Sequence, residues 1–331
     1  MLKEVLFTHD DLDGAGCSVI FRLAHLDQKL GVDYDVINCS NYSVDKDVRT
    51  RSDIDRNTKI FFADLLCSEE LLIELRDAGN IVNIFDHHLT NSYAVDVIPD
   101  ARIVYVNDAG IMESGTSLLY QYYQEISMFM KDDPCIKYLF SDAVNEKLIY
   151  DFVNTIRSYD TYEWKNTNAL KPKQFQTLFY LLGMNTFVEK YVGELSIPDS
   201  KQLIGDTERM FIDARLEMEQ KFIDRFTPDD VIDVKVHGYR CALIIGYIGA
   251  SISELGYQFL QKYPEYDIAA LFMLGRNDGG FSFRCVKNNI NLGKSVAGPM
   301  GGGGHPKAAG APLPQTIHDE IVKMIIRSLK S

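Results

Sequence analysis

Val5-Leu6-Phe7-Thr8-His9-Asp10-Asp11-Leu12-Asp13-Gly14 decides the fold: a short apolar run stops abruptly at a cluster of acidic and imidazole groups. The pattern returns twice. Lys59-Ile60-Phe61-Phe62 leads into Asp64, and Ile81-Val82-Asn83-Ile84-Phe85 leads into Asp86-His87-His88. Helix-like stretches separate these runs, one from about Ala15 to Leu30 and one from about Ser68 to Ala78. Strand alternating with helix predicts an α/β fold whose parallel sheet carries helices on both faces. Ligands of such sheets gather at the carboxyl ends of strands, which is where all three clusters fall.

Downstream, a fourth strand is expected over Arg102 to Val106, followed by Ser114-Gly115-Thr116-Ser117, whose hydroxyls suit a helix N-terminus. The chain to about residue 190 reads as helical, and Asp160 lies near the end of one helix, Glu146 to Tyr159. Ser196 to Phe226 reads as a connector, opened by Pro198-Asp199-Ser200 and closed by Thr227-Pro228 after a long charged helix. Strands return at Val231 to Val236 and Cys241 to Ile245, then a helix from about Ser251 to Lys262. Asn277-Asp278-Gly279-Gly280 signals a hairpin. These shifts predict a first domain over residues 1–195, a helical linker over 196–228 and a smaller α/β domain over 229–331.

The 331 residues are long enough for two separate cores. With 34 basic against 47 acidic residues, the formal charge is −13. Such a chain lacks the basic surface that grips long nucleic acid, so a nucleic-acid substrate should be short. Six cysteines, Cys17, Cys39, Cys67, Cys135, Cys241 and Cys285, form no CxxC pair and read as reduced and mostly buried. There is no signal-peptide pattern and no apolar run of membrane-spanning length, which points to the cytoplasm.

In an extended segment, side chains two apart share one side, so His9, Asp11 and Asp13 can face one cavity. Three such groups would repel or stay partly protonated unless a cation sat among them. Each cluster alone has a plainer reading: an acidic turn for the first, a helix cap for Asp64, a polar strand end for 86–88, a surface aspartate for Asp160. Their joint appearance points to one site. Aspartate and histidine without thiolates favour hard to borderline ions, Mn²⁺ first, with Mg²⁺ or Co²⁺ as alternatives. Two such ions sharing a carboxylate form a hydrolytic centre.

His9-Asp10-Asp11-Leu12-Asp13-Gly14, Asp64, Asp86-His87-His88 and Asp160 resemble, in order, the four motifs of the DHH phosphoesterase family. Gly301-Gly302-Gly303-Gly304-His305-Pro306-Lys307-Ala308-Ala309-Gly310 resembles the glycine-rich motif of its DHHA1 substrate-binding domain. The resemblance implies one metal held by His9, Asp11 and Asp64, and a second held by Asp13, Asp64, His87 and Asp160. Asp160 is chosen over nearby Asp142 and Asp151 on its local context. Asp86 would orient His87, and His88 would face the scissile phosphate. Arg284, Ser282, Gly302, Gly303, Gly304, His305 and Lys307 would hold substrate phosphates.

Within the family, the chain looks most like the nanoRNase branch, of the NrnA and NrnB type. That implies hydrolysis of short RNA to mononucleotides, with dephosphorylation of 3′-phosphoadenosine 5′-phosphate as an added activity. The alternatives are a phosphodiesterase of linear or cyclic dinucleotides such as pApA and c-di-AMP, and a non-catalytic nucleotide-binding module. No membrane or long nucleic acid is expected as a partner; a homodimer is compatible with the sequence.

Overall fold

The computed structural model describes residues 3–26, 33–51, 54, 58–129, 145–167, 169–245, 251–275 and 279–330. The chain divides into two compact units, Met1–Ile212 and Asp213–Ser331.

In the first unit, β1 (Lys3–His9), α1 (Leu12–Ala24), β2 (Asp33–Cys39), α2 (Val44–Arg49), β3 (Lys59–Ala63), α3 (Glu69–Asp77), β4 (Ile81–Asp86), α4 (Ala94–Val97) and β5 (Arg102–Ile103) follow in order. The five strands form one parallel sheet in the order β2-β1-β3-β4-β5. Its inner strands β1, β3 and β4 carry apolar runs because both faces are covered, whereas the edge strand β2 alternates, as Asp33-Tyr34-Asp35-Val36-Ile37-Asn38-Cys39. Val5, Phe7, Ile60, Phe62 and Ile84 pack with Leu71, Leu72, Leu75 and Val97 on one face. On the other, Phe61 and Phe85 meet Phe21, Tyr122 and Tyr123. β5 is shorter than the strand expected over Arg102 to Val106: after Val104 donates to Asp86 O, the chain turns, and Val106 makes only a bridge to Met112.

Helices α5 (Gly115–Phe129), α6 (Glu146–Asp160), α7 (Glu163–Thr167) and α8 (Leu170–Leu195, broken at Gly183) complete this unit. α9 (Asp206–Arg225) continues the chain into the second. There, β6 (Ile232–Val236), β7 (Tyr239–Ile245), α10 (Ile252–Lys262), β8 (Ile268–Leu274), β9 (Gly279–Arg284), β10 (Gly303–Gly304), β11 (Ala308–Pro312) and α11 (Gln315–Lys330) make an α/β unit. Its six-stranded sheet runs β10-β11-β9-β8-β7-β6, with β7 and β8 parallel and the other pairs antiparallel. β8 and β9 pair from Leu274 and Gly279 onward, but residues 277 and 278 of the expected hairpin lie outside the described residues. Five of the cysteines are free and buried; Cys135 lies outside the described residues. Among the described residues, no helix is long and apolar enough to cross a membrane.

Candidate metal centre

β1 delivers His9 as its last residue. Asp11 follows as the N-cap of α1, its Oδ1 accepting from the Gly14 amide at 3.1 Å. The helix therefore starts at Leu12, earlier than the expected Ala15, because a carboxylate beside exposed N–H groups nucleates the first turn. Asp13 stands in that turn. Strand alternation thus does not align His9, Asp11 and Asp13; a strand end, a cap and a helical turn supply them. A Cβ on Gly14 would lie 1.9 Å from His9 O, so glycine is what lets the helix fold back onto the strand end.

Asp64 follows β3 in left-handed backbone, at φ +63°, unusual for a residue with a side chain. Its amide donates to Phe85 O at 3.0 Å, tying it to β4. Asp86 ends β4, with His87 and His88 next, and Asp160 ends α6. His9 Nδ1 lies 2.9 Å from Asp11 Oδ2, and His87 Nε2 lies 3.3 Å from both Asp64 Oδ1 and Asp160 Oδ2. Ligand atoms of His9, Asp11 and Asp64 fall within 4.8 Å of one another, as do those of Asp13, His87 and Asp160. Asp64 adjoins the second set through His87. Of the two other aspartates weighed against Asp160, Asp151 pairs with Lys171 and Asp142 lies outside the described residues.

Burial, then the charges of Asp13, Asp11 and Asp160, push the Asp64 carboxyl well above the usual carboxylate range. Burial with Asp13 and Asp11 does the same to Asp160. Burial also pushes Asp11 upward, but His9 outweighs it and the carboxyl is lowered to about 2; His9 is raised in return. Asp64 Oδ2 is buried without a hydrogen-bond partner among the described residues. Crowded carboxylates with an unsatisfied oxygen fit a bound cation. Oxygen and imidazole donors together suit hard to borderline divalent ions.

Asp13 is held from α5. Its Oδ1 accepts from Ser114 Oγ at 2.7 Å and from the Thr116 amide at 3.2 Å, and its Oδ2 accepts from the Gly115 amide at 2.7 Å. Gly115 also lets α5 reach Asp64: a Cβ there would lie 2.5 Å from Asp64 Cβ. The sequence marked 114–117 as a helix start, but its service to Asp13 carried no local signal.

Asp86 anchors the turn that follows β4. Its Oδ1 accepts from His88 Nδ1 at 2.8 Å and from the amides of His87 and His88, and Asn91 Nδ2 donates to Oδ2 at 2.5 Å. Through Nδ1, Asp86 orients the ring of His88. Burial pulls His88 down, but the Asp86 hydrogen bond and charge prevail and raise it to about 9.

The remaining candidates lie in the second unit. Arg284 ends β9, and its Nε and Nη2 donate to Ser253 Oγ at 3.2 and 2.9 Å. β11 lies beside β9, with Ala308 opposite Arg284 and Gly310 opposite Ser282. Gly302 precedes β10, which Gly303 and Gly304 form. The His305 amide donates to Ala308 O at 2.8 Å, and Lys307 Nζ donates to Lys287 O. The structure thus gathers two sets, one in each unit.

No family model matches the chain. Oligoribonuclease NrnB of Bacillus subtilis (strain 168) is 29% identical over 325 residues, which span 97% of this chain and 74% of that protein. RecJ of Thermus thermophilus in complex with Mn²⁺ aligns at 12% identity over 96% of this chain and 50% of that one, with a TM-score of 0.49. An exopolyphosphatase-related protein of Bacteroides fragilis aligns at 12% identity over 99% and 92%, with a TM-score of 0.48. The resemblance to the nanoRNase branch of the DHH phosphoesterases is borne out by the similarity to NrnB.

Proposed function

We propose that the chain is a metal-dependent phosphodiesterase that hydrolyses short RNA oligonucleotides to mononucleotides. One observation carries the reading: His9, Asp11 and Asp64 converge beside Asp13, His87 and Asp160 at the carboxyl ends of β1, β3 and β4, with a buried carboxylate oxygen unsatisfied. The first set is assigned to one ion and the second, joined by Asp64, to another; similarity to an oligoribonuclease supports the substrate class. Residues 1–195 are assigned the chemistry, 196–228 the link, and 229–331 substrate binding. Bound there, two divalent ions, Mn²⁺ foremost, would neutralise phosphoryl charge and make water acidic enough to attack at neutral pH.

The chain's own residues supply the rest. Asp86 fixes Nδ1 of His88, so Nε2 is the nitrogen assigned to the phosphate, and the hydrogen bond to the Asp86 carboxylate favours the protonated ring. A protonated ring can donate to a phosphoryl oxygen or to the leaving oxygen. Arg284 is assigned a substrate phosphate, a task its two-pronged geometry suits.

The test is a panel of labelled 2-mer to 24-mer RNA and DNA, cyclic dinucleotides and 3′-phosphoadenosine 5′-phosphate, with Mn²⁺ and at one salt concentration. Rates should peak on RNA of about two to five residues, with mononucleotide products. Faster digestion of the 24-mer than of the 3-mer would reject the short-substrate reading. Turnover of cyclic dinucleotides alone would move the activity to that class, and no turnover of any substrate would reject an enzyme.

A further inference from the structure

The turn after Asp160 carries a residue that backbone geometry alone would not select. α6 ends at Asp160 with Thr161 as its C-cap, and Tyr162 comes next at φ +61°. The left-handed step closes the helix: the Thr161 amide donates to Arg157 O at 2.9 Å and the Tyr162 amide to Tyr159 O at 3.1 Å. Glycine is the usual occupant of such a position, because a side chain is strained there. Strained residues persist where neighbours fix them, and they cluster at functional sites.

The neighbours here are firm. Arg157 Nη1 pairs with Glu163 Oε2 at 2.9 Å and donates to Met112 O at 2.7 Å. Buried Trp164 stacks on Tyr159, with centroids 6.0 Å apart and planes 10° apart. Tyr162 nevertheless remains 40% exposed. It stands two residues from Asp160, whose Oδ2 meets His87 at the candidate metal centre. Lys165 Nζ lies 5.5 Å from the Tyr162 ring centroid.

An exposed tyrosine ring with an ammonium over it, shared with the Trp164 ring at 5.3 Å, suits a nucleotide, whose base stacks on the ring while its phosphate meets the cation. Resting on the phosphodiesterase reading, we propose that Tyr162 and Lys165 form a nucleobase subsite in the turn that follows Asp160. Stacking accepts any base, so this subsite holds nucleotides without selecting among sequences. The strained backbone is retained because glycine, though better suited to the turn, would remove the ring.

The experiment compares Tyr162→Leu, Tyr162→Phe and Tyr162→Gly in full-length protein with Mn²⁺ on an RNA 3-mer. Leucine and phenylalanine meet the same backbone strain, but only phenylalanine keeps an aromatic face. Tyr162→Leu should raise KM about tenfold with kcat within about twofold, while Tyr162→Phe stays within about twofold of the parent. Tyr162→Gly should raise KM likewise, yet leave the melting temperature unchanged or higher. Quenching of a 2-aminopurine 3-mer on binding should survive in Tyr162→Phe and be lost in Tyr162→Leu. Equal KM values for the leucine and phenylalanine variants would overturn the subsite while leaving the activity standing. No turnover of any oligonucleotide by the parent would remove the phosphodiesterase reading, and the subsite with it.

Discussion

A single methyl group on Gly115 should separate the placement of Asp64 from the stability of the fold. In Gly115→Ala the new Cβ would sit 2.5 Å from Asp64 Cβ, 2.8 Å from its N and 2.9 Å from its Cα. Ordinary contact begins at 3.4 Å, so α5 and Asp64 must part by roughly 0.9 Å, the shortfall against the nearest atom. Neither side can yield cheaply. Asp64 is tied to β4 through Phe85 O, and the start of α5 is tied to Asp13 by four hydrogen bonds, three to its carboxylate and one from Thr116 Oγ1 to its carbonyl. Overpacking of this kind costs about 1–3 kcal/mol, and in a unit this large each kcal/mol lowers the melting temperature by roughly 2–4 °C. The effect on catalysis should be larger in proportion: a misplacement near 1 Å costs on the order of 100-fold. The assay is kcat/KM on an RNA 3-mer with Mn²⁺, alongside thermal unfolding with and without the ion. Gly193→Ala is the control: it lies in α8 with nothing within 4 Å of an added Cβ, and it should stabilise by about 0.5–1 kcal/mol with unchanged activity. If Gly115→Ala melts lower but keeps kcat/KM within about threefold of the parent, the geometry of Asp64 does not govern the chemistry.

Asp64→Asn removes one of the crowded carboxylates while keeping its shape; the metal-free protein should melt higher, Mn²⁺ should no longer raise the melting temperature, and activity should fall at least about 100-fold. An unchanged Mn²⁺ shift would exclude Asp64 from the ion's ligands. His88→Ala should lower kcat by roughly 10²–10⁴ with both ions retained on metal analysis, whereas Arg284→Ala should raise KM with little change in kcat. Loss of metal from the His88 variant would make that ring a ligand. At the opposite end of β1, burial pushes Glu4 upward, but hydrogen bonds and charge from His25 and Lys59 prevail and leave its carboxyl below the ordinary 4.5. A depressed carboxyl stabilises the fold above its unfolded pKa and loses that contribution as pH falls through the folded one. The melting difference between parent and Glu4→Gln should therefore be full at pH 7 and shrink below about pH 4.5; a difference that grows with acid would contradict the pairing.

The ends of β1, β3 and β4 were legible because a strand buried on both faces writes itself as a nearly continuous apolar run, broken here only by Asn83, and each run stops where the chain reaches the polar edge of the sheet. Helix α6 was legible to within a residue, since Asn145 caps it by accepting from the Leu148 amide at 3.1 Å and its apolar face repeats regularly. Asp160 was legible only through the resemblance of its local context, Ser158 to Thr161, to a family motif; its surroundings carry no physical signal of a ligand. Asp151 stands on the same helix, and only long-range packing decides that one meets His87 while the other meets Lys171. The fifth strand shows the reverse failure: Arg102 to Val106 has strand-like composition, but pairing stops at Ile103 once the chain turns. Strand propensity states what fits a pleated surface, not how long a partner is present.

Ser114 to Ser117 show most sharply where local reading ends. Their hydroxyls mark a helix start, and α5 does begin at Gly115. The acceptor for Ser114 Oγ is Asp13, 101 residues earlier in the chain. A carboxylate placed on the first amides of a helix meets unsatisfied donors and the positive end of its dipole, so both sides gain. Ser117 Oγ in turn donates to buried Glu113, and the Ser114 amide donates to Ser117 Oγ at 2.9 Å. Asn107 and Gln121 also donate to Glu113, so the start of α5 is braced from its outer side. Asp13 is therefore oriented by protein donors independently of any cation, while Asp64 keeps an oxygen that no protein donor satisfies among the described residues. In the proposed centre the two carboxylates would divide the work: one would give it fixed geometry, the other an unmet demand that a divalent ion would answer.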